Sequence, residues 1–322
     1  MPAPKPRRGN RGQVRREEVA KKQARERAAR GGPQPVLGTG GTRGRATGGA
    51  EKRGRATGAG AGRATGAAAS GGPKRGLGGE QVEGRRAVRE LLVAKRRRVR
   101  EVWLAEGMDE SPLLAEIEGL CHDNRVPVRR HSRTRIADEA RTDAPQGVIA
   151  YAEPLPEVDI ETLVRRAEER KPFLVVLDSI TDPHNLGALL RTAECAGATG
   201  AVLPRHRSAH VTPTVAKAAA GAVEHLPLAV VPGIPAALTL LKGRGVWTVG
   251  LDADAETSLF DLEVATEPIA LVFGAEGAGL SRLVKERCDL VVSIPQLGSL
   301  DSLNVSAAGA VACYEVARRR AL

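Results

Sequence analysis

Aromatic side chains are almost missing from this chain: its 322 residues hold 2 Trp, 2 Tyr and 3 Phe. A surface that reads nucleic acid by stacking bases on rings is therefore not expected. Long apolar runs are missing too. No stretch approaches the ~18 consecutive apolar residues of a membrane span. No charged start followed by an apolar core marks a signal peptide. Cysteine is scarce, and Cys121, Cys195, Cys288 and Cys313 are scattered without metal-ligand spacing. That pattern argues against a zinc or other metal site and fits buried thiols in a cytoplasmic protein.

Acidic charge is what the first 76 residues lack. Counting from the sequence, they contain 19 Lys or Arg against 4 Asp or Glu, a net of +15. The whole chain has 49 basic and 38 acidic residues, so the remainder has 30 against 34, a net of −4. "GRATG" occurs three times there, starting at Gly44, Gly54 and Gly62, in a background of Gly, Ala, Pro and Arg. So few large apolar groups cannot offset the entropy of ordering the backbone, and the repeat is too short for a solenoid. Residues 1–77 are expected to be a disordered basic arm. Its charge suits sequence-independent attraction to phosphate. A solubilising tail, or an undocked helix over "REEVAKKQARERAA", accounts for the same composition. Glu17, Glu18 and Glu26 are atypical of a transit peptide.

From residue 78 onward the hydrophobic pattern acquires periods. Residues 78–153 read as a small α/β unit: "GRRAVRELLVAK" and "SPLLAEIEGLCHDN" as helices, "VREVWLA", "VPVRRH" and "GVIAYAE" as strands. Residues 154–170 read as a linker with a helix. In residues 171–322, strand and helix patterns alternate from "FLVVLDSI" through "TVAKAAAGAVEH" to a long terminal helix. Alternating βα units with short connections imply an α/β fold with a mostly parallel sheet covered on both faces.

The usual phosphate-binding signatures are lacking here as well. "LDSITDPHNLG" carries neither G-x-G-x-x-G nor a Walker loop after its strand. Three other segments stand out. "DPHNLGALLRTA" places Asn185 and Arg191 around the start of a helix. "FGAEGAGL" follows a strand with Gly274, Glu276 and Gly279, glycines that permit close backbone approach. "IPQLGSLDSLNVSAA" contains Ile294, Pro295, Ser302, Leu303 and Asn304. Taken singly, each has an ordinary reading: a tight turn with a solvated Glu, an N-cap Ser, an Asn bonded to its own backbone.

In this order the three segments resemble the SpoU (TrmH-type) branch of the SPOUT methyltransferases, which methylate ribose 2′-hydroxyls of RNA. The resemblance covers roughly residues 80–320, and the arm lies outside it. "EGRRAVRELL" and "PQGVIAYAE" look like the small L30e-like substrate-binding domain of the RlmB subgroup, the 23S rRNA guanosine 2′-O-methyltransferases. The resemblance implies a C-terminal domain with a trefoil knot, a homodimer joined through that domain, and S-adenosylmethionine as cofactor. By carry-over, Gly274, Gly279, Ile294, Pro295 and Leu303 hold the cofactor, and Asn185, Arg191, Glu276, Ser302 and Asn304 line the reacting centre. The family proposal makes Arg191 the base. A guanidinium with a pKa above ~12 stays protonated, so a fixed cationic donor is the other reading, with Glu276 orienting it. Six residues at 3.6 per turn put Asn185 ~120° from Arg191 on a helix, so Asn185 is expected in the loop ahead of it. His184, His206 and His210 are not required by the motif. The basic runs "KRRRVR" (Lys95, Arg96, Arg97, Arg98, Arg100) and "RRHSRTR" (with Arg129 and Arg130) are candidate phosphate contacts for an RNA partner, expected to be 23S rRNA. A tRNA or antibiotic-resistance-type 23S methylase, and a non-catalytic RNA- or ribosome-binding protein, remain as alternatives.

Overall fold

A computed structural model of the chain describes residues 77–165, 170–206 and 208–321. The basic arm lies outside the described residues. The small unit runs β1 (Gln81–Glu83), α1 (Arg85–Ala94), β2 (Val99–Ala105), α2 (Pro112–Asp123), β3 (Val128–His131), α3 (Arg133–Glu139) and β4 (Val148–Ala152). Its sheet has the order β1-β4-β2-β3, with β4 antiparallel to β1 and β2, and β2 parallel to β3. Ala87, Val88, Leu91 and Leu92 of α1 recur at helical spacing and bury one stripe against Val102, Leu104 and Ile117. Ser111 starts α2 by accepting the Leu114 amide at 3.3 Å, and Pro112 occupies the first turn, where no amide is needed. β1 and α3 are additions to the elements read from the sequence. Each is too short to show a period.

After α4 (Ile160–Arg165), the larger unit follows as β5 (Phe173–Leu177), α5 (Pro183–Cys195), β6 (Gly200–Pro204), α6 (Pro213–Ala218), β7 (Leu228–Val231), α7 (Ile234–Gly243), β8 (Trp247–Leu251), β9 (Thr257–Ser258), β10 (Ile269–Phe273), α8 (Arg282–Arg287), β11 (Leu290–Ser293) and α9 (Val305–Ala321). Seven strands form one sheet in the order β7-β6-β5-β10-β8-β11-β9, and every pairing in it is parallel. β5, β6 and β10 are buried along their whole length, as continuous apolar runs between two helical layers must be. Ile160 and Leu163 of α4 pack with Leu238 and Leu241 of α7 over Leu174 and Val202. Glu157 bridges Leu228 in parallel. Ile160 and Leu163, in the stretch read as a linker, thus belong to the larger unit's core.

The helix expected over "TVAKAAAGAVEH" ends at Ala218. Ala220 (φ 50°) and Gly221 (φ 88°) turn the chain, and a short 3₁₀ turn covers Ala222–Glu224. A Cβ on Gly221 would come within 2.5 Å of Glu90 Cβ on α1, so glycine here lets the two units touch. Arg97 locks that contact. Its guanidinium meets the Glu224 carboxylate at 2.5 and 3.1 Å and donates to the carbonyls of Gly79 and Glu153 at 3.1 and 3.0 Å. Both side chains of the ion pair are 1% exposed. Arg97 therefore leaves the set of phosphate contacts: its side chain is buried and four of its five N–H groups are taken inside the fold. Cys195 also departs from expectation, because it is exposed, whereas Cys121 and Cys313 are buried and Cys288 is half-buried.

Candidate active site

Asp182 is the N-cap of α5. Its carboxylate accepts from the amides of His184 and Asn185 at 3.1 and 3.2 Å, and Pro183 fills the first helical position. Asn185 consequently lies in the first turn of the helix, not in the loop ahead of it, and it is buried. Its Nδ2 donates to Glu276 Oε2 at 2.9 Å.

Glu276 stands on a tight loop after β10. Ala275 and Gly279 exchange both backbone hydrogen bonds, at 3.0 and 2.9 Å. A side chain at Gly274 would overlap the Gly279 carbonyl, so only glycine closes this ring. Asp178, which the motif reading missed, braces the loop from the end of β5. Its amide donates to the Phe273 carbonyl at 2.7 Å, and its buried carboxylate accepts from the Ser281 amide at 3.1 Å. A polar residue closing an apolar strand was the available signal.

Asn304 precedes α9 and completes the cluster. Its Nδ2 donates to Asn185 Oδ1 at 3.1 Å and lies 3.4 Å from Glu276 Oε1, while its Oδ1 accepts from the Ser306 amide and hydroxyl at 2.8 and 2.6 Å. The polarity of this network follows from one group. An ionised carboxylate only accepts, so Asn185 must turn its NH₂ to Glu276. Its oxygen then faces Asn304, which must also present NH₂ and leave its oxygen for Ser306. Three segments far apart in sequence are thereby held in one hydrogen-bonded order, and each bond polarises the next.

Arg191 is not among them. It is exposed, makes no hydrogen bond or ion pair among the described residues, and lines a separate hollow with Glu194, Cys195 and His225. Glu276, whose carboxylate accepts from Asn185 and lies beside Asn304, makes no hydrogen bond or ion pair with Arg191 among the described residues. Ser302, Leu303 and Pro295 are exposed and Ile294 is half-buried on the loop between β11 and α9. β10 and β11 flank β8, so the loops carrying Gly274–Gly279 and Ile294–Leu303 both leave the carboxyl end of the sheet around one strand. Parallel sheets place ligands at that end. His184, His206 and His210 are exposed.

The basic candidates separate by their partners. Arg100 pairs with Glu80 at 2.8 Å, Arg129 with Glu101 at 2.6 Å, and Arg130 with Glu118. Arg96 donates to the Glu224 carbonyl at 3.1 Å. Lys95 and Arg98 are exposed beside a hollow of about 640 Å³. Among the described residues no cluster of His, Cys, Asp and Glu could hold a metal ion, and no helix is long and apolar enough to cross a membrane.

Residues 172–314 match the family described as SpoU rRNA methylase, and residues 81–158 match the RNA 2′-O ribose methyltransferase substrate-binding family. A 23S rRNA (guanosine-2′-O-)-methyltransferase, RlmB, of Pseudomonas putida is 42% identical over 244 residues, which is 75% of this chain and 97% of that protein. A putative TrmH family tRNA/rRNA methyltransferase, YacO, of Bacillus subtilis is 38% identical, over 75% of this chain and 96% of its own. Among solved structures, the SpoU methyltransferase AviRb of Streptomyces viridochromogenes in complex with AdoMet aligns with a TM-score of 0.62. It is 27% identical, with 75% of this chain and 90% of that chain covered.

Proposed function

The chain belongs to the SpoU rRNA methylase family, as an S-adenosylmethionine-dependent RNA ribose 2′-O-methyltransferase, and we propose that its substrate is a guanosine of 23S rRNA. The observation that carries this reading is the Asn185–Glu276–Asn304 network, which joins all three motif segments at the carboxyl end of the parallel sheet. The guanosine assignment rests on the RlmB relatives and on the small domain they share with this chain. Such a substrate would place the enzyme in the cytoplasm. The test compares ribose methylation across rRNA and tRNA from cells with and without the gene. Loss of one 2′-O-methylguanosine from 23S rRNA is expected. Loss confined to tRNA would support the tRNA alternative, and a protein that binds no S-adenosylmethionine by calorimetry would be the non-catalytic RNA binder.

The residues present fit the cofactor. S-adenosylmethionine has no phosphate, so no glycine-rich phosphate cradle is called for. An adenosine needs backbone groups at close approach together with apolar cover: Gly274 and Gly279 shape the first loop, and Ile294, Pro295 and Leu303 offer apolar surface on the second. When bound, the cofactor supplies an electrophilic methyl group on a sulfonium. The chain's task is then to align the 2′-oxygen and dispose of its proton. We assign Glu276 and the two asparagines to holding the reacting loops in place, Ser302 to a contact beside them, and Arg191 to the ribose or its phosphate. Because Arg191 sits apart from the network within one chain, the reading includes a homodimer in which Arg191 completes the partner's centre. Tyr314 and Val311, exposed on α9, are the apolar side chains suited to that contact. A dimeric mass by light scattering at micromolar concentration is expected, and a monomeric one would count against it. The position of β10 between β5 and β8 supports the knotted arrangement, and the mixed four-stranded sheet supports the L30e-like assignment of the small domain.

The arm has a separable part in this scheme. Deleting residues 1–76 removes a net +15 of charge and none of the motif residues. RNA affinity should fall, and its log–log salt dependence should flatten by about 0.7 for each single-strand phosphate that the arm no longer neutralises. S-adenosylmethionine affinity and the methylated position should stay the same. Filter binding across a salt series reads the first effect. A shifted methylation position would mean that the arm recognises sequence or shape.

A further inference from the structure

Two hollows outside the Asn185–Glu276–Asn304 network lie along the seam between the small and large domains. One, about 740 Å³, is walled by Arg85, Arg86, Arg133 and Gln146 and, across the seam, by Lys217 and Ala220. The other, about 600 Å³, is walled by Arg86, Glu90 and Leu113 and, across the seam, by Arg191, Cys195 and His225. Arg86, Leu113 and Ala220 line both, so the two hollows adjoin as a groove that reaches Arg191.

Its charge opposes that of the surrounding protein. The groove's walls hold six Arg or Lys (Arg85, Arg86, Arg89, Arg133, Arg191, Lys217) against four Asp or Glu (Glu83, Glu90, Asp109, Glu194), a net of +2. The chain after residue 76 carries 30 basic against 34 acidic residues. Internal pairing removes groups of both signs and leaves that balance standing. Glu90 pairs with Arg89 and lies 2.7 Å from His225, Arg89 also pairs with Glu116 at 2.8 Å, Arg133 donates to the Gly107 carbonyl, and Glu83 accepts hydrogen bonds from Gln81, Arg141 and Thr142. Arg86 and Arg191 are exposed and have no partner among the described residues, while Lys217 reaches only the Thr142 hydroxyl, at 3.3 Å. The walls are fixed relative to each other by the buried Arg97–Glu224 pair and by the close approach at Gly221. No Phe, Tyr or Trp lines the groove, which leaves phosphate contact, not base stacking, as its means of holding nucleic acid.

We propose that this groove binds a single strand of the substrate RNA through its phosphates, with Arg86 and Lys217 as contacts, and leads it past Arg191. The proposal rests on RNA being the substrate and adds where the strand runs. It also moves the principal phosphate contacts away from the Lys95–Arg100 run, whose arginines are partly spent on internal partners.

Cys195 offers a test within the groove. It is exposed, and although burial and Glu194 raise its thiol somewhat, burial pushes the thiols of Cys121, Cys288 and Cys313 up to about 11, 12 and 12. The full-length protein is treated with iodoacetamide, alone, with S-adenosylmethionine, or with a saturating 23S rRNA fragment, and Cys195 alkylation is followed by mass spectrometry. RNA should slow it about tenfold, and the cofactor alone should not. Arg86→Gln should weaken RNA binding roughly tenfold and flatten the salt slope by about 0.7. Unchanged alkylation in the presence of bound, methylated RNA would overturn the groove and leave the enzymatic reading standing. A Cys195 that stays unreactive even at a pH high enough to ionise its raised thiol would also overturn it, because the groove would then be closed to solvent and to RNA. Protection by RNA without methylation of any 23S fragment would support the groove and remove the 23S assignment instead.

Discussion

Arg191→Ala should lower the single-turnover methylation rate by about 10²–10⁴-fold, the usual worth of a positioned proton-transfer group or charged donor. S-adenosylmethionine affinity should be unaffected, since Arg191 lies on neither cofactor loop. Arg191→Lys separates the two roles open to this side chain. A fixed cationic donor is partly replaced by lysine, and the pH–rate profile keeps its shape. A group that takes the proton would bring the rising limb down toward lysine's ordinary ~10.4. The dimeric arrangement gives a second readout. Mixing Arg191→Ala chains with Asn304→Ala chains leaves one intact centre in each mixed dimer if Arg191 acts across the interface. Statistical exchange makes half the dimers mixed, so about a quarter of the wild-type rate should return. No recovery would place Arg191 and Asn304 in the same chain's centre and overturn the cross-subunit reading.

Arg97→Met should destabilise the fold by about 3–5 kcal/mol, because it leaves the Glu224 carboxylate buried without its cation. The carbonyls of Gly79 and Glu153 lose a donor as well. Adding Glu224→Leu should recover most of the loss, since two apolar groups of similar size remove the stranded charge. Denaturant midpoints of the two single variants and the double variant give the coupling. RNA affinity, measured where the variant remains folded, separates this role from the one the basic run suggests. An Arg97 that contacted phosphate would lose RNA binding in the double variant even with stability restored.

Local patterns in the sequence were enough for a large part of this architecture. The apolar runs of β5 and β10 and the periodic stripe of α1 reflect side-chain geometry within a few residues, and that geometry survives any tertiary arrangement. The three motif segments were legible through their order and its resemblance to the SpoU family, because Asn185, Glu276 and Asn304 taken singly each had an ordinary local reading; the charge of the arm is a matter of composition. What the tertiary structure alone decided depends on residues far apart. Glu276 lies 91 positions from Asn185, and Asn304 lies 119 from it, so neither their contact nor the direction of each hydrogen bond follows from spacing. The placement of β10 between β5 and β8 is likewise a pairing of distant strands. Arg97 is the clearest case. Within "KRRRVR" it is indistinguishable from its neighbours, and only the partner 127 residues away makes it an interior ion pair. Arg191 shows the opposite outcome: its helix was readable, but six residues of helical twist turned it away from Asn185 and into the seam between the two domains.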